Sequence, residues 1–256
     1  MFSFRGRRRD FLLLVALLPG CLLADDVVTA AIASNFASTA AEISAAFTEN
    51  TGIPVRISVG STGKLYAQIV NGAPFDVFLA ADTERPLLLE QAGHAERGSR
   101  QSYAVGRLVL WSRDTALEGK SCREALYRGE YSKIAIANPE TAPYGSAARE
   151  YLKMAGLWEY ASGRAVYGEN ISQTLHFVAT GNATLGFVAR SQLVLANLPP
   201  AVCTWSVPES PQTALHQQVV LLTSARGNDA ARRFVGFLVS SEARKIIGQH
   251  GYGIPN

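Results

Sequence analysis

An α/β fold in two lobes with a cleft between them is predicted by three observations. From Val27 onward, short apolar runs alternate with helical patterns, as βα units on largely parallel sheets do. The alternation pauses near Tyr103 and restarts without a flexible linker, so the 256 residues suit two small lobes with real cores. Four strand-to-helix junctions are rich in Ser, Thr, Asn or Tyr, and ligands on such sheets collect at the carboxyl ends of strands.

Val27–Ala33 is a strand that breaks at Ser34-Asn35 into a helix, Ser38–Glu49, with Ile43, Ala46 and Phe47 on one face. Val55–Val59 and Phe75–Ala80 are strands, each followed by a helix, Ser61–Asn71 and Glu84–Gln91. Leu108–Trp111 opens the second unit. Tyr131–Ala137, Arg164–Tyr167 and Leu185–Val188 continue it as strands, with helices at Ser146–Ala155 and Ile171–Thr180. Leu198–Gln212, with four prolines, reads as an irregular connection. Gln217–Thr223 is a β run, and Asp229–Val239 and Glu242–Gly248 are closing helices. The lobes are expected at residues 25–104 plus 225–256 and at 105–224, after an export signal at 1–24.

The charge balance is informative once divided. Residues 1–24 hold four of the 24 basic residues and one of the 21 acidic ones, which leaves 20 of each in the remainder. A neutral body argues against nucleic acid or an anionic membrane surface as partner. The basic start, the short apolar core Phe11–Leu18 and the small residues before Asp25 read as an export signal cut near Ala24. That core is too short to span a bilayer. Arg8-Arg9-Asp10-Phe11-Leu12 resembles a twin-arginine signal, and Leu18-Pro19-Gly20-Cys21 is a poor lipoprotein box, with lipid at Cys21 as the alternative. The protein is therefore expected to work outside the cytoplasm, where Cys122 and Cys203 meet an oxidising environment. Sequence leaves open whether they pair.

The four junctions share one grammar: Ser34-Asn35, Ser61-Thr62, Tyr144-Gly145-Ser146 and Asn170-Ile171-Ser172 each sit where a helix starts. Any one alone is most simply a helix cap. Together, hydroxyls, amides and free helix-start N–H groups suit a small anion held without a counter-charge. Gly63-Lys64 is no phosphate loop, because Ser58 replaces its first glycine and Leu65 its Ser/Thr. No metal-ligating spacing or nucleophile motif occurs around His94, His176, His216 and His250. Asp76 and Asp82 read as local caps rather than an acid–base pair, and Tyr103, Trp111, Trp158 and Trp205 as packing residues. A secreted hydrolase would need His176 beside Ser172 or Ser146.

ASNF, GSTGKLYAQIVNGAPFDVFLAAD, YAVGRLVLWS, IAIANPETAPYGSAA and LGFVA, in that order, resemble the periplasmic molybdate/tungstate-binding proteins that serve ABC importers. The resemblance covers most of the chain beyond the signal. It implies a type II periplasmic-binding-protein-like fold, no enzyme activity, no cofactor, and molybdate or tungstate as a ligand passed by a monomer to a membrane permease. Sulfate, phosphate or another small anion is the alternative ligand for the same fold. Carried over by position, the implied ligand donors are Ser34, Asn35, Ser61, Thr62, Tyr144 and the backbone N–H of Ile171. Thr62 aligns better than Ser61 with the family's second-loop hydroxyl. One branch of the family has a tyrosine where this chain has Ala189. The other uses the tyrosine of the APYG run, here Tyr144.

Overall fold

The computed structural model describes residue 2, residues 27–195, residue 198 and residues 200–255. The sequence readings at Arg8-Arg9, Cys21 and Ala24 lie outside the described residues.

The first lobe is built from β1 (Val28–Ala33), α1 (Ala37–Thr51), β2 (Val55–Gly60), α2 (Thr62–Val70), β3 (Val77–Ala80), α3 (Glu84–Gln91) and β4 (Gln101–Gly106). The second holds β5 (Leu108–Ser112), α4 (Cys122–Arg128), β6 (Ile134–Ala137), α5 (Pro143–Met154), α6 (Trp158–Ser162), β7 (Ala165–Gly168), α7 (Ile171–Ala179), β8 (Leu185–Ala189), α8 (Arg190–Leu195) and β9 (Cys203–Ser206). The chain then returns through β10 (Leu215–Leu221), α9 (Asp229–Leu238) and α10 (Ser241–Gln249).

Each lobe has a five-stranded sheet, ordered β2-β1-β3-β10-β4 in the first and β7-β6-β8-β5-β9 in the second. Both are mixed rather than mainly parallel. β1 runs parallel to β2 and β3, and β6 to β7 and β8, as βαβ units require. β10 and β5 are antiparallel to their neighbours.

Central strands are apolar throughout because both faces are covered. In the first lobe Ala30, Ile32, Val77 and Leu79 pack toward α1, α9 and α10, where Phe47 meets Phe234 edge-on at 5.3 Å. The alternate residues Ala31, Phe78 and Ala80 face α2 and α3, which is the period of two of a strand. In the second lobe Leu108, Leu110, Ile134, Ile136 and Phe187 form the main core, and Val109, Trp111 and Val188 the opposite face. The main core continues across the cleft floor to Ala33, Ala81 and Leu215.

Two readings of the sequence need correction. The run Gln217–Thr223, assigned above to the second lobe, forms β10 and pairs with β3 and β4 of the first sheet. The return crossing therefore falls at 207–214, and the outward one at Arg107 between β4 and β5. A β run carries no local signal for its sheet, since pairing is settled by distant partners. Leu198–Gln212 is not wholly irregular either, because β9 lies inside it as an edge strand against β5. An edge tolerates prolines on its flanks because it needs hydrogen bonds on one side only.

Cys122 and Cys203 are joined, with Cα atoms 5.3 Å apart, and tie the start of α4 to β9. The bridge closes a loop with a sequence separation of 81 residues. Replacing both cysteines by serine is expected to lower the unfolding free energy by about 2–4 kcal/mol in denaturant, chiefly by freeing the unfolded chain. Reducing the wild type should produce the same loss; equal stability of the two forms would contradict a structural bridge.

Candidate functional site

The carboxyl ends of β1 and β2 face those of β6 and β7, and each is followed by a helix start. Between them lies a pocket of about 190 Å³, counting its opening to solvent. Ser34, Asn35, Ser61, Thr62, Tyr144 and Ile171 all line it, together with Ala33, Gly60, Ala81, Ala142, Pro143 and Asn170. All six sequence candidates thus meet in one place, drawn from four separate strand-to-helix junctions.

The hydrogen-bond accounting shows which donors are free. After β1 the chain makes one 3₁₀ turn, Ser34–Phe36, with no side-chain cap, so its leading N–H groups are uncommitted. Asn35 spends its side chain elsewhere: Nδ2 donates to Gln217 Oε1 (3.0 Å) and Tyr252 Oη (3.2 Å). Its backbone N–H is left for the pocket.

Ser61 occupies the cap position of α2 but makes no capping bond, and its buried Oγ has no hydrogen-bond partner. Thr62 Oγ1 accepts from the Ala81 N–H (3.1 Å), which leaves its own proton to donate. Ser61 thus has a claim at least equal to that of Thr62. A buried hydroxyl without a partner is costly, so its orphan state points to a ligand.

In the second lobe α5 starts with Pro143, whose missing N–H costs nothing there, and has no side-chain cap. The N-terminal turn of α5 packs so tightly on β6 that a Cβ on Gly145 would lie 2.0 Å from the Ala137 carbonyl oxygen. Tyr144 is buried, and its Oη accepts from Gln217 Nε2 (3.4 Å). Burial, then the neighbouring Tyr252, pushes its pKa well up, so it stays a neutral phenol with a proton to give. Asn170 does cap α7, but its Oδ1 takes the N–H groups of Ser172 (3.0 Å) and Gln173 (3.1 Å). The Ile171 N–H is passed over.

Among the described residues, no charged side chain lines the pocket. Lys64 lies outside and pairs with Glu169 of the other lobe at 2.9 Å, both half exposed. The lobes also meet through Gly63 N–H to the Thr141 carbonyl (2.8 Å), Ser172 Oγ to the Ser34 carbonyl (3.3 Å) and Ser191 Oγ to the Asn35 carbonyl (3.3 Å). Gly63 is required at this seam, since a Cβ would sit 2.9 Å from the Thr141 oxygen.

The remaining polar candidates have structural partners. Asp76 accepts from the Thr29 N–H (2.7 Å). Asp82 accepts from the Arg85 N–H (3.0 Å) and pairs with its guanidinium; burial raises its pKa against that attraction. Among the described residues, His176 has no hydrogen bond to Ser172 or Ser146, and no cluster of three metal-ligating side chains occurs. Tyr103 and Trp111 are buried, and Trp158 and Trp205 pack against the second core.

Gln217, Tyr103 and Tyr252 form a buried network behind the site that sequence reading missed. Its one signal was a glutamine in phase with Leu215, Val219 and Leu221 on an otherwise apolar strand face.

Two lobes with a pocket between them, helix starts lining that pocket and a set of unspent donors define a solute-binding protein. The profile described as bacterial extracellular solute-binding protein matches residues 28–253, and the chain belongs to that family. It is 42% identical over 226 residues to the molybdate-binding protein ModA of Rhodobacter capsulatus, covering 88% of this chain and 87% of the relative. It is also 42% identical over 227 residues to that of Azotobacter vinelandii, covering 89% and 90%. The solved periplasmic molybdate-binding protein of Azotobacter vinelandii superposes with a TM-score of 0.82 at 36% identity, over 90% of this chain and all of that one.

Burial also raises the pKa values of Tyr103 and Tyr252 beside Tyr144. The folded state therefore holds phenolic protons that the unfolded chain loses above about pH 10. The unfolding free energy is expected to be flat from pH 7 to 9 and to fall above about pH 10, with the tyrosinate signal of Tyr103, Tyr144 and Tyr252 appearing only as the protein unfolds. Ionisation of these tyrosines in the folded state near pH 10 would contradict their burial.

Proposed function

We propose that this protein captures molybdate or tungstate outside the cytoplasm, in the cleft between its lobes, and delivers the anion to a membrane-embedded ABC permease. The observation that carries this reading is the donor-only pocket, above all the buried, unpartnered hydroxyl of Ser61. A doubly charged oxyanion in a pocket without cations must replace its hydration with about six or more charge-assisted hydrogen bonds, each worth roughly 1.5–3 kcal/mol. Ser34, Asn35, Ser61, Thr62, Tyr144 and Ile171 supply that number. The likeness to molybdate-binding proteins at 42% identity supports the choice of anion. Donors fixed on helix starts cannot collapse onto a smaller tetrahedron, which disfavours sulfate.

Release is a hinge motion about the two crossings, with the anion stabilising the closed state. The role is binding rather than catalysis, and the neutral body suits a monomer free of nucleic acid. Export by the twin-arginine route follows from Arg8-Arg9, with lipid at Cys21 as the alternative.

Thermal unfolding of the purified protein is expected to shift upward with molybdate and with tungstate, and not with equimolar sulfate or phosphate. Equal shifts with all four would refute the selectivity, and none would refute the site. In calorimetric titration, Tyr144→Phe is expected to weaken molybdate binding by about 1–3 kcal/mol. Ser61→Ala should weaken it similarly while leaving the ligand-free protein as stable or slightly more so, because an orphan hydroxyl is removed. Unchanged dissociation constants would exclude these residues from the contact shell.

A further inference from the structure

Gln217 lies outside the pocket lining, yet it touches a residue of each lobe that does line it. It is wholly buried on β10, in the first lobe. Its Oε1 accepts from Asn35 Nδ2 (3.0 Å) and from the Tyr103 hydroxyl (3.0 Å). The Asn35 donor fixes the amide's orientation, because a flipped amide would set NH₂ against NH₂; the Tyr103 hydroxyl, which also reaches the Ala80 carbonyl (3.2 Å), fits that orientation. Nε2 therefore faces Tyr144 Oη across the cleft floor, at 3.4 Å.

The polarity then runs one way. The Tyr252 hydroxyl donates to the Asn35 carbonyl (2.6 Å), Asn35 Nδ2 donates to Gln217, and Gln217 donates to Tyr144. A phenol oxygen that faces a donor must send its own proton elsewhere. Among the described residues this hydroxyl donates no hydrogen bond, and the pocket that Tyr144 lines is the direction left open to it.

Gly106 completes the seat. It is the last residue of β4, where the chain leaves the first lobe. A Cβ there would lie 2.2 Å from Tyr144 Oη and 2.7 Å from Gln217 Nε2. Neither distance is tolerable, so only glycine lets this hydroxyl and this amide meet beside the crossing.

We propose that Gln217 and Gly106 are positioning residues for the anion site: they aim the Tyr144 proton at the ligand and make that aim depend on lobe closure. Gln217 and Gly106 belong to the first lobe and Tyr144 to the second, so separation of the lobes removes the amide from the phenol. An open cleft thereby loses one oriented donor, and release is eased at the moment the hinge opens.

This inference rests on the oxyanion reading, and molybdate titration of the wild type tests that reading first. Absence of binding overturns both. Given binding, Gly106→Ala should raise the dissociation constant about tenfold or more, the loss also expected of Tyr144→Phe. The double variant should lose clearly less than the product of the two single losses, since the closest clash, with the Tyr144 hydroxyl, is gone and only the approaches to Gln217 Nε2 and the ring remain. Losses that multiply would overturn the inference alone, because a purely structural defect does not need the Tyr144 hydroxyl.

Gln217→Glu gives an independent reading should Gly106→Ala fold poorly. The new carboxyl keeps an acceptor for Asn35 and Tyr103, and when protonated it can still donate to Tyr144. Once ionised it would draw the Tyr144 proton to itself and repel the anion. The titratable groups facing this position are Tyr103 and Tyr144, with Tyr252 behind Asn35; Asp82 is the carboxylate acting on Tyr103. Burial raises the pKa of such a carboxyl. Affinity of Gln217→Glu should approach wild type at pH 5 and fall steeply by pH 8, while wild type changes little. Parallel pH profiles for the two proteins would overturn the proposal.

Discussion

The structure depends on keeping hydrogen-bond donors buried and unspent. Helix starts are satisfied by side-chain caps, water or ligands, and the three that follow β1, β2 and β6 at the pocket have no side-chain cap. Where a cap does exist, at Asn170, it skips the one N–H that faces the pocket. Each uncommitted donor costs stability until an acceptor arrives, which links ligand binding to closure energetically. In the proposed function, the anion takes the place of the missing caps.

That constraint explains the surrounding features. Without a cation in the pocket, the helix-start dipoles and hydroxyls must supply all the attraction, and a site open to water would screen them. The seam therefore closes tightly, through Gly63 against Thr141 and the serine hydroxyls of Ser172 and Ser191 against first-lobe carbonyls. Lys64 and Glu169 meet at the rim, half exposed, where an ion pair contributes little to stability. The disulfide lies within the second lobe and ties no residue of the first lobe to it.

Much of this was legible in the sequence, and for a physical reason. Strand ends, helix starts and cap residues are local features, so Ser34-Asn35, Ser61-Thr62, Tyr144 and Ile171 could be found one junction at a time. What was not legible depends on partners far away in the chain. β10 was placed in the wrong lobe because an apolar run does not announce its neighbours, and β9 was hidden by the prolines around it. Gln217 was missed because its partners are Asn35, Tyr103 and Tyr144, more than seventy residues distant. The balance between Ser61 and Thr62 turned on whether a hydroxyl finds a partner, which only packing decides.

The most direct measurement of the central claim is a crystal structure of the protein grown with molybdate, using the anomalous scattering of molybdenum to place the ion. One strong peak is expected between the lobes, with oxygens in hydrogen-bond reach of Ser61 Oγ, Tyr144 Oη and the N–H groups of Asn35 and Ile171. A peak outside that pocket, or an anion there contacted by a charged side chain in place of these donors, would contradict it.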